Sequence, residues 1–188
     1  MTEVGRRRKR PAVSAWLAAA ILAAAVPSLA APAPRRAASG PSHGPDLYAG
    51  YSHTKAGAAG LDGWSVAGSR AITGRLRATV DLTGHYGSFA TATLSQTALV
   101  AGVRAVWSWQ GFAPFVDGGL GFARTSVRAS GLREADTDWG LCFGGGVDRA
   151  VARQWSARGL AQVRFLHGEG AWDSDPRLSL GVVYRFGR

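Results

Sequence analysis

A two-residue periodicity in the last part of the chain constrains the fold more than any other feature of the sequence. In residues 177–186, large apolar side chains stand at every second position. They are Leu178, Leu180, Val182, Tyr184 and Phe186. Successive side chains of a strand point to opposite faces, so this segment predicts a strand with one wholly apolar face. An unpaired strand at a sheet edge invites aggregation, and a closed barrel removes that edge.

The same alternation recurs in seven earlier segments, and residues 75–86 show it most clearly. There, Leu76, Val80 and Leu82 alternate with Arg77 and Asp81, whereas a helix would scatter the charges around its surface. The other six segments are residues 46–52, 62–72, 96–107, 112–123, 138–148 and 155–166. Eight strands of about ten residues make the smallest transmembrane barrel. The sequence therefore predicts an all-β, eight-stranded antiparallel up-and-down barrel.

The connections between these segments alternate in length. Residues 72–75, 107–112 and 149–154 are short connections, whereas residues 53–61, 87–95, 125–137 and 167–176 are longer and richer in Gly, Ser and charge. Outer-membrane barrels have short periplasmic turns and longer external loops. We therefore expect both termini in the periplasm and the long loops outside, where they contact envelope components or an extracellular partner that the loops do not identify.

Alternation alone fits two opposite structures: a lipocalin-like soluble barrel with apolar residues inside, or a membrane barrel with them outside. The position of the aromatic residues separates these alternatives, because they lie near the strand ends and small aliphatic residues lie between them. The aromatic residues are Trp64, Tyr86, Phe122, Trp139 and Phe165 toward the long connections, and Trp107, Phe112, Trp155, Tyr184 and Phe186 toward the short ones. Two such belts are typical of the two water–lipid interfaces. The pattern therefore favours a transmembrane barrel.

The polar face then lies inside the barrel. An eight-stranded barrel is just wide enough for side chains to fill it, so arginines can span the interior and pair with carboxylates. The predicted interior charge network consists of Arg77, Asp81, Arg104, Asp117, Asp148, Arg158, Arg164 and Arg185. We therefore expect a plugged, salt-bridged interior. A narrow porin-like channel is the alternative.

The first 45 residues have a different composition from the rest. Residues 1–30 combine a basic start, an apolar run and small residues at Ser28 and Ala30, which predicts a cleavable signal peptide; a retained membrane anchor is the alternative. Residues 31–45 are rich in Pro, Ala and Arg and predict a disordered linker, and residues 46–188 form the barrel domain. The net charge of +10 owes much to the basic start, and the remaining arginines are spread singly, so no nucleic-acid partner is expected.

The chain also resembles a known family. Its closing residues Ser179, Gly181, Tyr184 and Phe186 follow the spacing polar-x-Gly-x-x-aromatic-x-aromatic, which resembles the carboxy-terminal assembly signal of bacterial outer-membrane barrels. With residues 46–52, 114–122 and 144–148, the chain resembles the small OmpA-like and OmpX-like barrels of Gram-negative bacteria. The resemblance implies an outer-membrane location, contact with lipid and lipopolysaccharide, and insertion by the barrel assembly machinery.

Candidates for chemistry are few. Some small barrels modify lipid A with a Ser and a His on the lipid-facing wall, and His85 and Ser88 raise that alternative. However, His85 has the register of the inward face, and no acid partner is evident, so we predict no enzymatic activity. The rim groups His53, His85, His167, Glu169, Asp173 and Asp175 have no spacing diagnostic of a metal site. We predict neither a metal nor a cofactor.

Overall fold

The computed structural model describes residues 44–56, 59–89, 92–129, 132–168 and 171–187, and they form a closed β-barrel. The strands are β1 Asp46–Ala56, β2 Ala59–Ala71, β3 Leu76–Phe89, β4 Ala92–Val106, β5 Phe112–Ala129, β6 Leu132–Ala150, β7 Trp155–Gly168 and β8 Ala171–Arg185. Each strand pairs antiparallel with the next, and β1 pairs with β8 from Asp46↔Arg185 to Thr54↔Arg177. The predicted eight-stranded barrel is confirmed. The predicted signal peptide, and the linker up to residue 43, lie outside the described residues.

The described part of the chain contains no helix long and apolar enough to cross a membrane.

The two faces of the barrel wall settle the choice between a soluble and a membrane barrel. Val80 and Leu180 have exposed fractions of 52% and 68%, whereas Arg77 and Arg104 have exposed fractions of 6% and 3%. The apolar face is therefore outside, where acyl chains cover it, and the arginines are inside. The lipocalin-like alternative is wrong, because its core would have to consist of the residues that lie on the outer surface.

Aromatic side chains lie on this outer surface at both ends of the barrel. At the short-connection end, the Tyr184 ring makes edge contacts with the rings of Trp155 and Phe186, at centroid distances of 5.0 and 4.7 Å. At the other end, Trp139 makes an edge contact with Trp172 at 5.6 Å. Amphipathic rings at these two levels suit the two membrane–water interfaces.

The prediction of four long loops is wrong in extent. Most of their residues continue the strands, since Lys55 pairs with Gly60, Gly87 with Leu94, Thr125 with Asp136 and His167 with Trp172. Both faces of a hairpin beyond the membrane meet water, so the apolar alternation ends there although the backbone ladder continues. The long connections are thus β-hairpins that extend the wall.

The short connections agree with the prediction, and the turn between β4 and β5 shows why. Trp109 and Phe112 exchange two backbone hydrogen bonds of 2.8 and 2.7 Å. Between them, Gln110 and Gly111 have φ angles of +41° and +90°. Positive φ at both central residues is the type I′ geometry, whose twist matches that of paired strands. The other two turns span residues 72–75 and 151–154. The end with these three turns is called the turn end below, and the opposite end is called the hairpin end.

Candidate functional site in the barrel interior

Polar side chains fill the interior of the barrel from one end to the other. The buried charged residues are Asp46, Arg77, Asp81, Arg104, Asp148, Arg158, Arg164, Asp175 and Arg177. Glycines on the inward face make room for the large side chains. A Cβ at Gly181 would lie 2.8 Å from Tyr48 Cε2, and a Cβ at Gly146 would lie 2.7 Å from Phe115 Cζ. Glycine at these two positions therefore allows the large interior side chains to approach the strand backbone closely.

Nearest the turn end, two carboxylates hold three arginines. Arg158 Nε and Nη2 donate to the two oxygens of Asp148 at 2.6 and 2.9 Å. Arg185 Nη2 donates to the same carboxylate at 3.1 Å, and Arg77 Nη2 lies 3.1 Å from Asp46 Oδ2. These contacts link β6 with β7 and β8, and they link β1 with β3. The two-pronged Arg158–Asp148 geometry is the strong form of a charge-assisted pair.

A second group of contacts surrounds Asp117 on β5. Arg104 Nη2 donates to Asp117 Oδ2 at 2.8 Å, and Gln162 Nε2 donates to Asp117 Oδ1 at 3.0 Å. The guanidinium of Arg104 also lies over the Phe115 ring, 4.1 Å from its centroid, and the guanidinium of Arg158 is 5.0 Å from the same centroid. Cation–π contacts of this kind strengthen in a desolvated site.

Toward the hairpin end, Arg177 connects β8 with the far wall. Its Nη2 donates to Asp81 Oδ2 at 2.7 Å and to Ser65 Oγ at 3.0 Å, and its Nε donates to Ser179 Oγ at 3.1 Å. Ser179 and Ser52 share a hydroxyl hydrogen bond of 2.9 Å. Serine and arginine side chains therefore bridge strands on opposite sides of the lumen.

Arg164 contacts neutral side chains, whereas the other buried arginines contact carboxylates. It donates to the amide oxygen of Gln96 at 2.8 Å and to Thr54 Oγ1 at 3.1 Å. Gln96 in turn donates to Asp175 Oδ2 at 3.1 Å. The neutral amide of Gln96 thus joins the cation of Arg164 to the carboxylate of Asp175. It accepts a hydrogen bond from Arg164 Nη2 and donates one to Asp175 Oδ2.

These contacts lie inside the barrel and involve side chains from every strand. A guanidinium removed from water is costly unless carboxylates and hydroxyls replace its hydration. The observed pairs provide part of that replacement across strands that are far apart in sequence, such as those of Arg177 and Asp81. The interior contacts therefore link strands of the wall that are not neighbours in the sheet.

Comparison with known proteins identifies the family. The model of the outer membrane protein beta-barrel domain matches residues 17–186. The chain belongs to this family. Its members are outer-membrane barrels, so the location indicated for this chain is the outer membrane. No curated protein sequence matches the chain significantly.

Solved structures of three outer-membrane barrels are similar to this one. Neisserial surface protein A has 19% identity and a TM-score of 0.62, with 76% of this chain and 96% of that chain covered. Ail of Yersinia pestis, the attachment invasion locus protein, has 13% identity and a TM-score of 0.57, with 77% and 100% covered. OprG of Pseudomonas aeruginosa has 10% identity and a TM-score of 0.61, with 80% and 99% covered. At these identities the likeness concerns the fold.

Within this outer-membrane barrel, the structure brings most of the predicted charge network together. Asp148 contacts Arg158 and Arg185, and Asp117 contacts Arg104. Arg77, Asp81 and Arg164 are also inside, but their partners were not in the predicted set. Those partners are Asp46, Arg177, Gln96 and Thr54. The alternation along each strand already places Asp46 and Arg177 on the polar, inward face, so the sequence contained the signal for both residues.

The rim histidines have different contacts. His85 is buried, and its Nε2 lies 2.9 Å from Ser52 Oγ, whereas Ser88 is exposed. His167 contacts the rings of Trp139 and Trp172 at 5.6 and 4.8 Å. Among the residues that the structure describes, no group of three or more His, Cys, Asp and Glu side chains could hold a metal ion. Glu169 lies outside the described residues.

A polar cluster on the outer face of the barrel was not predicted. His53 Nδ1 lies 2.7 Å from Asp62 Oδ1, and the Tyr51 hydroxyl donates to the same oxygen. These residues occupy neighbouring positions on β1 and β2, because His53 pairs with Asp62 and Tyr51 pairs with Trp64. Sequence reasoning missed them because the register across the hairpin places them together, and His53 was assigned to the connection 53–61.

Proposed function

We propose that this chain is a non-enzymatic integral outer-membrane barrel with a plugged interior, which contacts envelope or surface partners through its extended hairpins. The observation that carries the proposal is the set of buried cross-strand ion pairs that fills the lumen. Exported barrels of this family reach the membrane through the periplasm, so we also propose that residues 1–30 are a signal peptide and that both termini are periplasmic. The three tight turns at the end where β1 begins and β8 ends support that orientation.

The plug leads to an electrical prediction. Because Arg158, Arg164 and Arg177 reach across the lumen, the purified protein in planar bilayers is expected to show no large, stable single-channel conductance. A variant with all three arginines replaced by serine shortens these side chains and is expected to conduct more. Large, stable openings of the unmodified protein would favour the narrow channel instead.

The closing strand is the proposed assembly signal. Ser179 and Gly181 face the lumen, whereas Phe186 is exposed on the outer surface, where insertion machinery can contact its ring. The substitution Phe186→Ala is expected to lower the amount of barrel inserted in the outer membrane, measured by heat-dependent gel migration of membrane fractions. Phe122→Ala, which removes an exposed ring from the middle of the chain, is the matched control. Equal loss in both variants would show that the effect is a general loss of interfacial anchoring.

The hairpins are the proposed contact surface for outside partners and for lipopolysaccharide. The longest is formed by β5 and β6, which pair out to Arg128↔Arg133 and Ala129↔Leu132. Charged side chains are exposed along the hairpins: Lys55, Asp62, Arg124, Arg128, Glu134 and Asp136. Ail, named an attachment invasion locus protein, has a barrel of the same fold, which supports a role in surface contact. Mixed charges on this surface favour a polar partner.

A further inference from the structure

A small cavity opens inside the barrel at the turn end. It has a volume of about 40 Å³, which is enough for about three water molecules. Its charged lining consists of Asp46, Arg75, Arg77, Arg104, Asp148, Arg158 and Arg185. This space is called the turn-end pocket below.

Cations outnumber carboxylates around the turn-end pocket. Five arginines line it together with two aspartates, Asp46 and Asp148, and Asp117 behind Arg104 adds a third negative charge. The lining and its nearest partner therefore carry a formal surplus of two positive charges. Such a surplus in a confined, partly desolvated site favours an anion.

One buried guanidinium donor of the pocket, Arg104 Nε, has no partner within the described residues, and other arginines there use only some of their nitrogens on carboxylates. Arg185 uses one nitrogen, Nη2, on Asp148, and Arg104 uses Nη2 on Asp117 while its Nε has no partner. Arg158 uses Nε and Nη2 on Asp148, which leaves its Nη1. A buried donor without a partner is costly, so a ligand that accepts a hydrogen bond from Arg104 Nε is favoured.

The surface around the pocket has the same sign of charge. The exposed charged side chains of this end are Arg70, Arg75, Arg149 and Arg153. The carboxylates nearest to this end in the described residues, Asp46 and Asp148, are buried. At the hairpin end, by contrast, the exposed charges are mixed, because Asp136 and Asp173 accompany Arg124 and Arg128. The field is therefore polarised along the barrel and steers anions toward the turn end.

We propose that the turn-end pocket binds a small phosphate-type oxyanion. Planar guanidinium groups match the oxygens of phosphate two at a time, as Arg158 already does with the oxygens of Asp148. A tetrahedral ion presents oxygens in several directions, so one phosphate can accept from Arg104, Arg158 and Arg185 together. The pocket volume of about 40 Å³ suits a small ion. The site lies in the lumen, separate from the hairpin surface to which the proposed function refers.

The test is a calorimetric titration of the folded barrel in neutral detergent with inorganic phosphate, at constant ionic strength. We expect saturable binding, weakened by about tenfold in Arg185→Gln, because one charge-assisted hydrogen-bonding partner is removed. Arg75→Gln changes an exposed side chain at the pocket, and it is expected to weaken binding without loss of the fold. Arg124→Gln, an exposed arginine at the hairpin end, is the matched control and is expected to leave binding unchanged.

A second arm uses glycerol 3-phosphate, a soluble phosphomonoester, to identify the source of the phosphate group. Binding of inorganic phosphate supports a free-ion site, and binding of the ester alone supports a phosphate carried by an organic ligand or lipid headgroup. The proposal is overturned if neither titration saturates in the unmodified protein. It is also overturned if Arg124→Gln weakens binding as much as Arg75→Gln does, since general charge attraction then explains the result.

Discussion

Replacement of Asp148 by asparagine is expected to lower the free energy of unfolding by about 3–5 kcal/mol. Asp148 is 4% exposed, and its carboxylate holds both Arg158 and Arg185. Asparagine has nearly the same shape, so packing is kept, but it presents one acceptor oxygen and no charge. Two guanidinium groups in the lumen then lose the carboxylate that they contact, and that is the costly outcome for a buried ion pair.

Urea unfolding of the barrel refolded into lipid vesicles measures this change. The control is Glu134→Gln, which neutralises an exposed carboxylate at the hairpin end, and it is expected to change the free energy of unfolding by less than about 0.5 kcal/mol. A similar small change for Asp148→Asn would mean that water reaches Arg158 freely, and it would contradict the plugged interior.

The double variant Asp148→Asn with Arg158→Met provides a second check. Removing both partners of a buried ion pair is generally less costly than removing one, because no uncompensated charge remains. We therefore expect the double variant to be more stable than Asp148→Asn alone. If the two losses simply add, the pair is not coupled and the observed contact contributes little.

The inward and outward faces of the wall could be predicted from the sequence because they follow from a local rule. Side chains alternate along every strand, so the polarity of Arg77 and Val80 fixes their sides once the sheet is known to be a membrane barrel. The aromatic residues at the strand ends supplied that knowledge. Nothing beyond period and composition was needed to place the arginines of the interior.

The ion-pair partners could not be predicted in the same way. Arg77 on β3 contacts Asp46 on β1, and Arg177 on β8 contacts Asp81 on β3. In neither pair are the two strands neighbours in the barrel. Which two side chains meet in the lumen depends on the tilt and stagger of the closed wall, and those quantities are global. The alternation of side chains along each strand identifies the residues that face the lumen, whereas the geometry of the closed barrel determines which of them form ion pairs.

Charge balance alone also missed the role of neutral residues. Gln96 stands between Arg164 and Asp175, and an amide carries no charge that an arginine–aspartate inventory would detect. Its side chain both donates and accepts, so it can join a cation to an anion that do not touch. The inward parity of Gln96 was visible in the sequence, but its use as a bridge depends on three strands meeting across the lumen.

The substitution Leu180→Arg is expected to cost about 2–4 kcal/mol of unfolding free energy in lipid vesicles, because it places a charge on the lipid-facing wall near mid-strand. The matched control is Leu132→Arg at the tip of the β5–β6 hairpin. Leu132 is 79% exposed and Leu180 is 68% exposed, so exposed area alone predicts that both substitutions are equally mild. The two sites differ in the surrounding medium, since the hairpin tip meets water and the wall meets acyl chains. Leu132→Arg is therefore expected to change the free energy of unfolding by less than about 0.5 kcal/mol. An equally small effect of Leu180→Arg would mean that this face is hydrated, and the outward apolar surface would then need a protein partner instead of a bilayer.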